Sequence, residues 1–430
     1  MLHYQLKCLG CGKAVDEAAA GFTLKCPDLH DPALLRAEYA SRQMTPIPAN
    51  PGLFRYADWL PVRRVLPCTT MPVVYRSSRL AKRLGLDALF VAFSGYWPEK
   101  QAQIATCSFK ELEAPAVLAR LPENESRTLV VASAGNTGRA FLQVASQVNA
   151  RVLVVVPEFA LPAMWLTVPK GPQVRLAVLR HADYFDAIRL ADLIAGLEGY
   201  FTEGATRNVA RRDGMGTVML AAAEAIGTLP RHCVQAVSSG SGAIAVWEAS
   251  LRLLADGRFG THKPVLHLGQ NVPFTPMTDA WQAGSRTLPQ LEEAHARKLA
   301  MSVRAQVLGN RRPAYGLTGG VFDALTDTQG QMYAVRSEEA HRAGQLFSEL
   351  EGIDLDPAAE VATAVLLSAV ESGRFRRDET VLLNVTGGGY RRVEALGLRH
   401  VLKPDLTFSP EEANRDTVAR RLRSRPAPRG

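Results

Sequence analysis

Three times in this chain an apolar run breaks into a glycine-rich loop, and residues at helical spacing follow. "TLVVAS" (128–133) leads through "AGNTG" to "RAFLQVASQVNA", and "HCVQAVSSGSG" (232–242) and "TVLLNVTGGG" (380–389) repeat the device. "RVLVVVPE" (151–158) adds an unbroken branched run that reads as a buried strand. Strands that alternate with helices imply an α/β protein, its parallel sheets covered on both faces. In such sheets ligands bind beyond the carboxyl ends of the strands, where these loops fall.

At 430 residues the chain exceeds one ordinary core, so two or more lobes are expected. Its 47% hydrophobic and 21% charged residues fit a globular protein. The net charge of +8 is dispersed, and its densest run is the end, "RRLRSRPAPRG". A solvated surface with a disordered tail, a small anionic substrate or a nucleic acid would each account for it. No run approaches the roughly 20 apolar residues of a membrane span, so no membrane partner and a cytoplasmic location are expected. Six cysteines in a chain this long do not make a disulfide scaffold.

Each glycine loop has a plain reading and a chemical one. In "VSSGSGAIAVWEA" (237–249) the amides at the helix start would suit a phosphate, or the loop is a tight turn. It is neither a Walker loop nor a spaced dinucleotide fingerprint. In "VVASAGNTGRAF" (130–141), Ser133, Asn136 and Thr137 either cap a helix or cradle a carboxylate. "NVTGGGY" (384–390) is a turn, or a backbone against which something flat lies.

Lysine is scarce here, ten of the 50 basic residues, which draws attention to Lys110 in "ATCSFKELEA". Ser108 as cap and Glu111 as its capping-box partner would open a helix and put Lys110 in its first turn. There the positive end of the dipole lowers an amine's pKa, as a Schiff-base lysine requires.

In order, S-F-K, S-x-G-N-T, a Ser/Gly loop and a late T-G-G resemble the fold-type-II pyridoxal-phosphate enzymes, relatives of tryptophan synthase β and threonine synthase. The resemblance spans roughly residues 60–395. Threonine synthases usually read N-P-T-x-S-F-K-D-R-G around their lysine, and this chain departs from that. "GYWPEK", "FKELEA", "RNVARRDGMGTV" and "GGVFDAL" instead look like the cysteate synthase family.

The resemblance implies two doubly wound α/β domains, the larger from 61–125 and 206–400 and the smaller from 126–205. A Cys-containing, zinc-ribbon-like extension at 1–60 would precede them, and a basic tail at 401–430, its end disordered, would follow. Lys110 would carry the pyridoxal 5'-phosphate and act as base. Asn136 would bond the ring hydroxyl, and Gly240, Ser241, Gly242, Ala243 and Ile244 would hold the phosphate. Thr386 would face the ring nitrogen. Ser133, Ala134, Gly135, Asn136 and Thr137 would hold the substrate carboxylate. The implied reaction is β-replacement on O-phospho-L-serine through an aminoacrylate, with sulfite as nucleophile and L-cysteate as product, by a homodimer.

Two anions in one pocket need cationic donors. Arg207, Arg211 and Arg212 in "ATRNVARRDGMGT", and Lys100, are candidates, Arg207 and Arg211 foremost among them, although for any single one a solvated helix face is the first reading. Cys8-x2-Cys11, Cys26 and His30 supply the four N/S ligands a tetrahedral zinc requires, although the expected second C-x2-C is missing. Bound zinc, a metal-free remnant and redox sensing all stay open. Threonine synthase is the alternative enzyme. A zinc-ribbon-like nucleic-acid-binding protein is the alternative of another class; the enzyme reading expects no nucleic-acid partner.

Overall fold

The structure, a computed structural model, describes residues 2–423. Strands β1 (Tyr4–Cys8), β2 (Ala14–Val15) and β3 (Leu35–Tyr39) form an antiparallel sheet in the order β2–β1–β3. Further along come β4 (Val73–Arg76), β5 (Ala88–Phe93), β6 (Thr128–Ala132), β7 (Val152–Pro157), β8 (Val174–Leu179) and β9 (Tyr200–Thr202). They are followed by β10 (His232–Ala236), β11 (Val265–Asn271), β12 (Gln331–Val335), β13 (Thr380–Val385) and β14 (Leu406–Phe408).

Two sheets organise the body. The smaller runs β9–β6–β7–β8–β14 and is parallel throughout. The larger runs β12–β11–β10–β13–β5–β4 and is parallel except for β4, which pairs antiparallel with β5. The branched run at 152–157 is buried at every position, as a central strand covered on both faces must be.

Among the described residues, 401–423 are not a tail. β14 pairs with β8, and the helix Arg415–Arg423 buries Val418 and Leu422 in the cluster that holds Leu406 and Phe408. Burying these apolar side chains offsets the repulsion of a basic segment. The final residues, 424–430, expected to be disordered, lie outside the described residues.

Three helices set the position of the lysine. They are α1 (Lys110–Arg120), α2 (Val209–Ile226) and α3 (Ser241–Asp256). α2 is buried along 209–223, and α1 and α3 both pack on it. Gly214 permits the close approach: a Cβ there would lie 2.4 Å from the Leu112 carbonyl oxygen on α1. The N-terminal sheet is tied on by Glu17 and Arg120, an ion pair at 2.6 Å with both side chains fully buried. Tyr39 Oη adds a hydrogen bond to Asp213 at 2.5 Å. No helix among the described residues is long and apolar enough to cross a membrane.

Candidate functional site

The carboxyl ends of β6, β10 and β13 open into one cavity of about 1630 Å³. Its wall brings together Lys110, the 133–137 loop, Ser238–Gly240, Gly242 and Thr386, which the sequence scatters over most of the chain.

Lys110 begins α1 and keeps 18% exposure. Its Nζ lies 3.5 Å from Glu113 Oε2, 3.8 Å from Met215 Sδ and 4.7 Å from the centre of the Phe109 ring. Burial lowers its pKa, and the positive charge of Arg211 pushes the same way, while Glu113 pulls it back up. The expected direction is present, but desolvation, not the helix dipole, is the main cause.

The capping box expected at Ser108 and Glu111 does not form. Phe109 already has helical φ/ψ at the N-cap, so Ser108 lies one residue too early. Glu111 turns inward instead, accepting from Thr106 N at 2.7 Å and Thr70 Oγ1 at 2.9 Å, and burial raises its pKa. What fixes the helix start is the other glycine strand-end. Phe109 N donates to the Thr386 carbonyl at 2.9 Å, and Gly388 N to the Cys107 carbonyl at 3.2 Å.

α3 starts at Ser241 after Gly240, with no side-chain cap. Ser241 N reaches Ser239 Oγ at 3.4 Å, and Ile244 N, expected to serve a phosphate, donates instead to the Gly240 carbonyl at 3.0 Å as the helix closes its first turn. The amides of Gly242 and Ala243 have no intrahelical acceptor, and Gly242 lines the cavity with Gly240, a donor set that suits a phosphate. Ser241 spends its hydroxyl on Thr206 and Ser239. Ala243 and Ile244 are buried. A Cβ on Gly242 would sit 2.5 Å from Gln235 Nε2 and 3.1 Å from the Phe109 ring, so this cradle accepts only glycine without displacement. These orphan donors, the amine of Lys110 and the Thr386 hydroxyl make the donor set that a phosphorylated pyridine aldehyde requires.

At the 133–137 loop the two readings meet. Ser133 does both, its Oγ accepting from Gly135 N at 3.1 Å and Gly138 N at 2.8 Å while the residue also lines the cavity. Ala134, Gly135, Asn136 and Thr137 line the cavity beside it. Asn136 is clamped at both ends of its amide: Nδ2 donates to Asp356 at 3.3 Å, and Oδ1 accepts from Arg139 at 2.7 Å. Its second Nδ2 hydrogen remains for another acceptor.

The cations sort clearly. Arg211 is committed, with Glu113 at 3.2 Å and Glu203 at 2.5 Å; burial works against its charge, but the two carboxylates outweigh it and raise its pKa. Arg212 is fully buried on Glu248. Lys100 lies over the Tyr75 and Trp97 rings, outside the cavity wall. Arg211 is thus already neutralised, which weakens its expected role toward substrate. Arg207 lines the cavity with no carboxylate in ion-pair contact among the described residues. Arg312 does so too, stacked on Phe185 at 4.3 Å.

Sequence reasoning missed Glu113, Glu203 and Asp356. Only Glu113 left a local trace, the i,i+3 spacing to Lys110 in "KELE". Away from the lysine, Cys8, Cys11, Cys26 and His30 converge, their ligand atoms all within 4.8 Å of one another.

Residues 72–387 match the family described as pyridoxal-phosphate dependent enzyme. The chain is 47% identical over 420 residues to the cysteate synthase of Methanosarcina barkeri, covering 97% of this chain and all of that one. It is 49% identical over 397 residues to the cysteate synthase of Methanosphaerula palustris, covering 91% of each. Among solved structures, maize serine racemase superposes with a TM-score of 0.56 at 15% identity, over 75% of this chain and 90% of that one, a likeness of fold.

Proposed function

The chain belongs to the pyridoxal-phosphate-dependent enzymes and, within them, to the cysteate synthase family, and on that premise we propose that it replaces the phosphate of O-phospho-L-serine with sulfite to form L-cysteate. The observation that carries the proposal is the Lys110 amine, lowered in pKa by burial, in the cavity that also holds an uncapped helix start and Thr386.

Lys110 would hold the cofactor's aldehyde carbon, and the first-turn amides of α3 its phosphate. Asn136 would face the ring hydroxyl and Thr386 the ring nitrogen. When bound, pyridoxal phosphate supplies an electrophilic carbon for the substrate amine and a conjugated ring that spreads charge from Cα. Thr386 would offer that nitrogen a neutral hydroxyl, which would leave the ring a moderate electron sink and favour loss of a β-group.

Burial shifts the freed Lys110 amine toward its uncharged form, whose lone pair takes the Cα proton of the amino-acid substrate. Phosphate leaves Cβ with the bonding pair of its C–O bond. Sulfite forms the new C–S bond at the same carbon with its sulfur lone pair, and Lys110 returns the proton to Cα. Backbone amides of the 134–137 loop would hold the substrate carboxylate at a helix start. Arg207 and Arg312, with no carboxylate in ion-pair contact among the described residues, would hold the departing phosphate and the incoming sulfite. A cytoplasmic homodimer completes the proposal.

The test is product identity. O-phospho-L-serine with sulfite should yield cysteate and phosphate in equal amounts. Threonine from O-phosphohomoserine, with no cysteate from the first pair, would overturn the assignment.

A further inference from the structure

We propose that Cys8, Cys11, Cys26 and His30 bind one zinc ion, which pins the loop at 26–34 and so fixes one wall of the active-site cavity. The four ligand atoms lie within 4.8 Å of one another. Around a tetrahedral zinc, bond lengths of about 2.3 Å to sulfur and 2.0–2.1 Å to nitrogen put S···S near 3.8 Å and S···N near 3.6 Å. Cys11 Sγ and Cys26 Sγ are 3.7 Å apart, and Cys8 Sγ and His30 Nε2 are 3.2 Å apart. At 3.7 Å the sulfurs are far outside a disulfide bond, and all six cysteines are free thiols. The absent second C-x2-C is made good by the histidine.

Three further features are those of a built site. His30 Nδ1 lies 2.6 Å from the Asp31 carbonyl, which fixes the tautomer and leaves Nε2 as the ligand lone pair. The turn from Cys8 to Cys11 is held by backbone bonds, Gly12 N to the Cys8 carbonyl at 2.9 Å and Cys8 N to the Lys13 carbonyl at 2.9 Å. Gly10 lies close under the imidazole: a Cβ there would be 3.0 Å from His30 Cε1.

The ligands also join two parts of the molecule. Cys8 ends β1 and Cys11 lies in the turn toward β2, whereas Cys26 and His30 lie in the 22–34 segment that lines the cavity. That segment has no regular structure over 26–32 and meets the body at Leu34, whose N–H donates to the Thr318 carbonyl at 2.9 Å. Thr318 N also donates to the Pro32 carbonyl at 3.2 Å, and Lys13 pairs with the exposed Asp28 at 2.6 Å, so the firm end of the loop is at 32–34 and the metal would supply the other. Binding would release the protons of the three thiols to solvent.

Metal analysis of the purified full-length holoenzyme should find about one zinc per chain. Cys11→Ser, at an exposed position, should lose it while retaining bound pyridoxal phosphate. Chelation should raise amide exchange over residues 22–34 by about tenfold or more and leave β7 and β10 unchanged. A holoenzyme that takes up no zinc from micromolar zinc solution overturns the site. Zinc retained in both Cys11→Ser and His30→Ala overturns the ligand set, and unchanged exchange over 22–34 overturns the pinning. None of these readouts depends on which amino acid is the substrate.

Discussion

Lys110 Nζ lies 3.5 Å from Glu113 Oε2, one turn along the same helix, and Arg211 lies 3.2 Å from the other oxygen of that carboxylate. Glu203 closes the row at 2.5 Å from Arg211. The Lys110 amine, Glu113, the Arg211 guanidinium and Glu203 thus form a buried line that ends at the cavity. Burial drives the Lys110 amine toward its neutral form, and Glu113 moderates the effect.

Replacing Glu113 with Gln removes the charge that raises the Lys110 pKa and leaves Arg211 its partner Glu203. The amine should then deprotonate at lower pH than in the wild type. The pH dependence of Lys110 acetylation in the cofactor-free protein, read by peptide mass, checks this. A midpoint that moves upward, or stays in place, contradicts the electrostatic account.

Gly242→Ala places a methyl 2.5 Å from Gln235 Nε2, whose amide is held in place by Asn384 at 2.7 Å. The helix start must shift to relieve the contact, spoiling the alignment of its amides. Pyridoxal phosphate affinity should fall about tenfold, roughly 1.4 kcal/mol, with little change in melting temperature. Titration of the apoenzyme gives the dissociation constant, and an unchanged value removes the 240–244 loop from phosphate binding.

Arg207 sits at the cavity wall with only the longer-range charge of Asp192 facing it and no carboxylate in ion-pair contact among the described residues, whereas Arg211 is saturated. Arg207→Ala should therefore raise KM for the anionic substrates about tenfold with kcat little changed, the mark of lost uniform binding. Steady-state kinetics at fixed ionic strength decide it. Unchanged KM would shift the role to Arg312.

The parallel-sheet framework was legible because central strands carry unbroken branched runs such as Val152–Pro157. The cavity wall was legible too, since each loop announces itself by glycine at a strand end. Long-range partners were not. Asp356 reaches Asn136 from 220 residues away, and no local pattern in either segment marks the pair. Glu111 has the spacing of a capping box, but Thr70 and Thr106 compete for its carboxylate and win. The segment after 400 hid its strand and helix because arginines outnumber the few apolar side chains, Leu406, Phe408, Val418 and Leu422, that bury it.

Of the ten lysines, Lys110 alone should carry the cofactor. Borohydride reduction of the yellow holoenzyme, followed by peptide mapping, should find the reduced cofactor on Lys110 alone. Lys110→Ala should be colourless after reduction and dialysis, and at least about a hundredfold slower. A cofactor fixed on any other lysine, or a Lys110→Ala enzyme of normal rate, would contradict it.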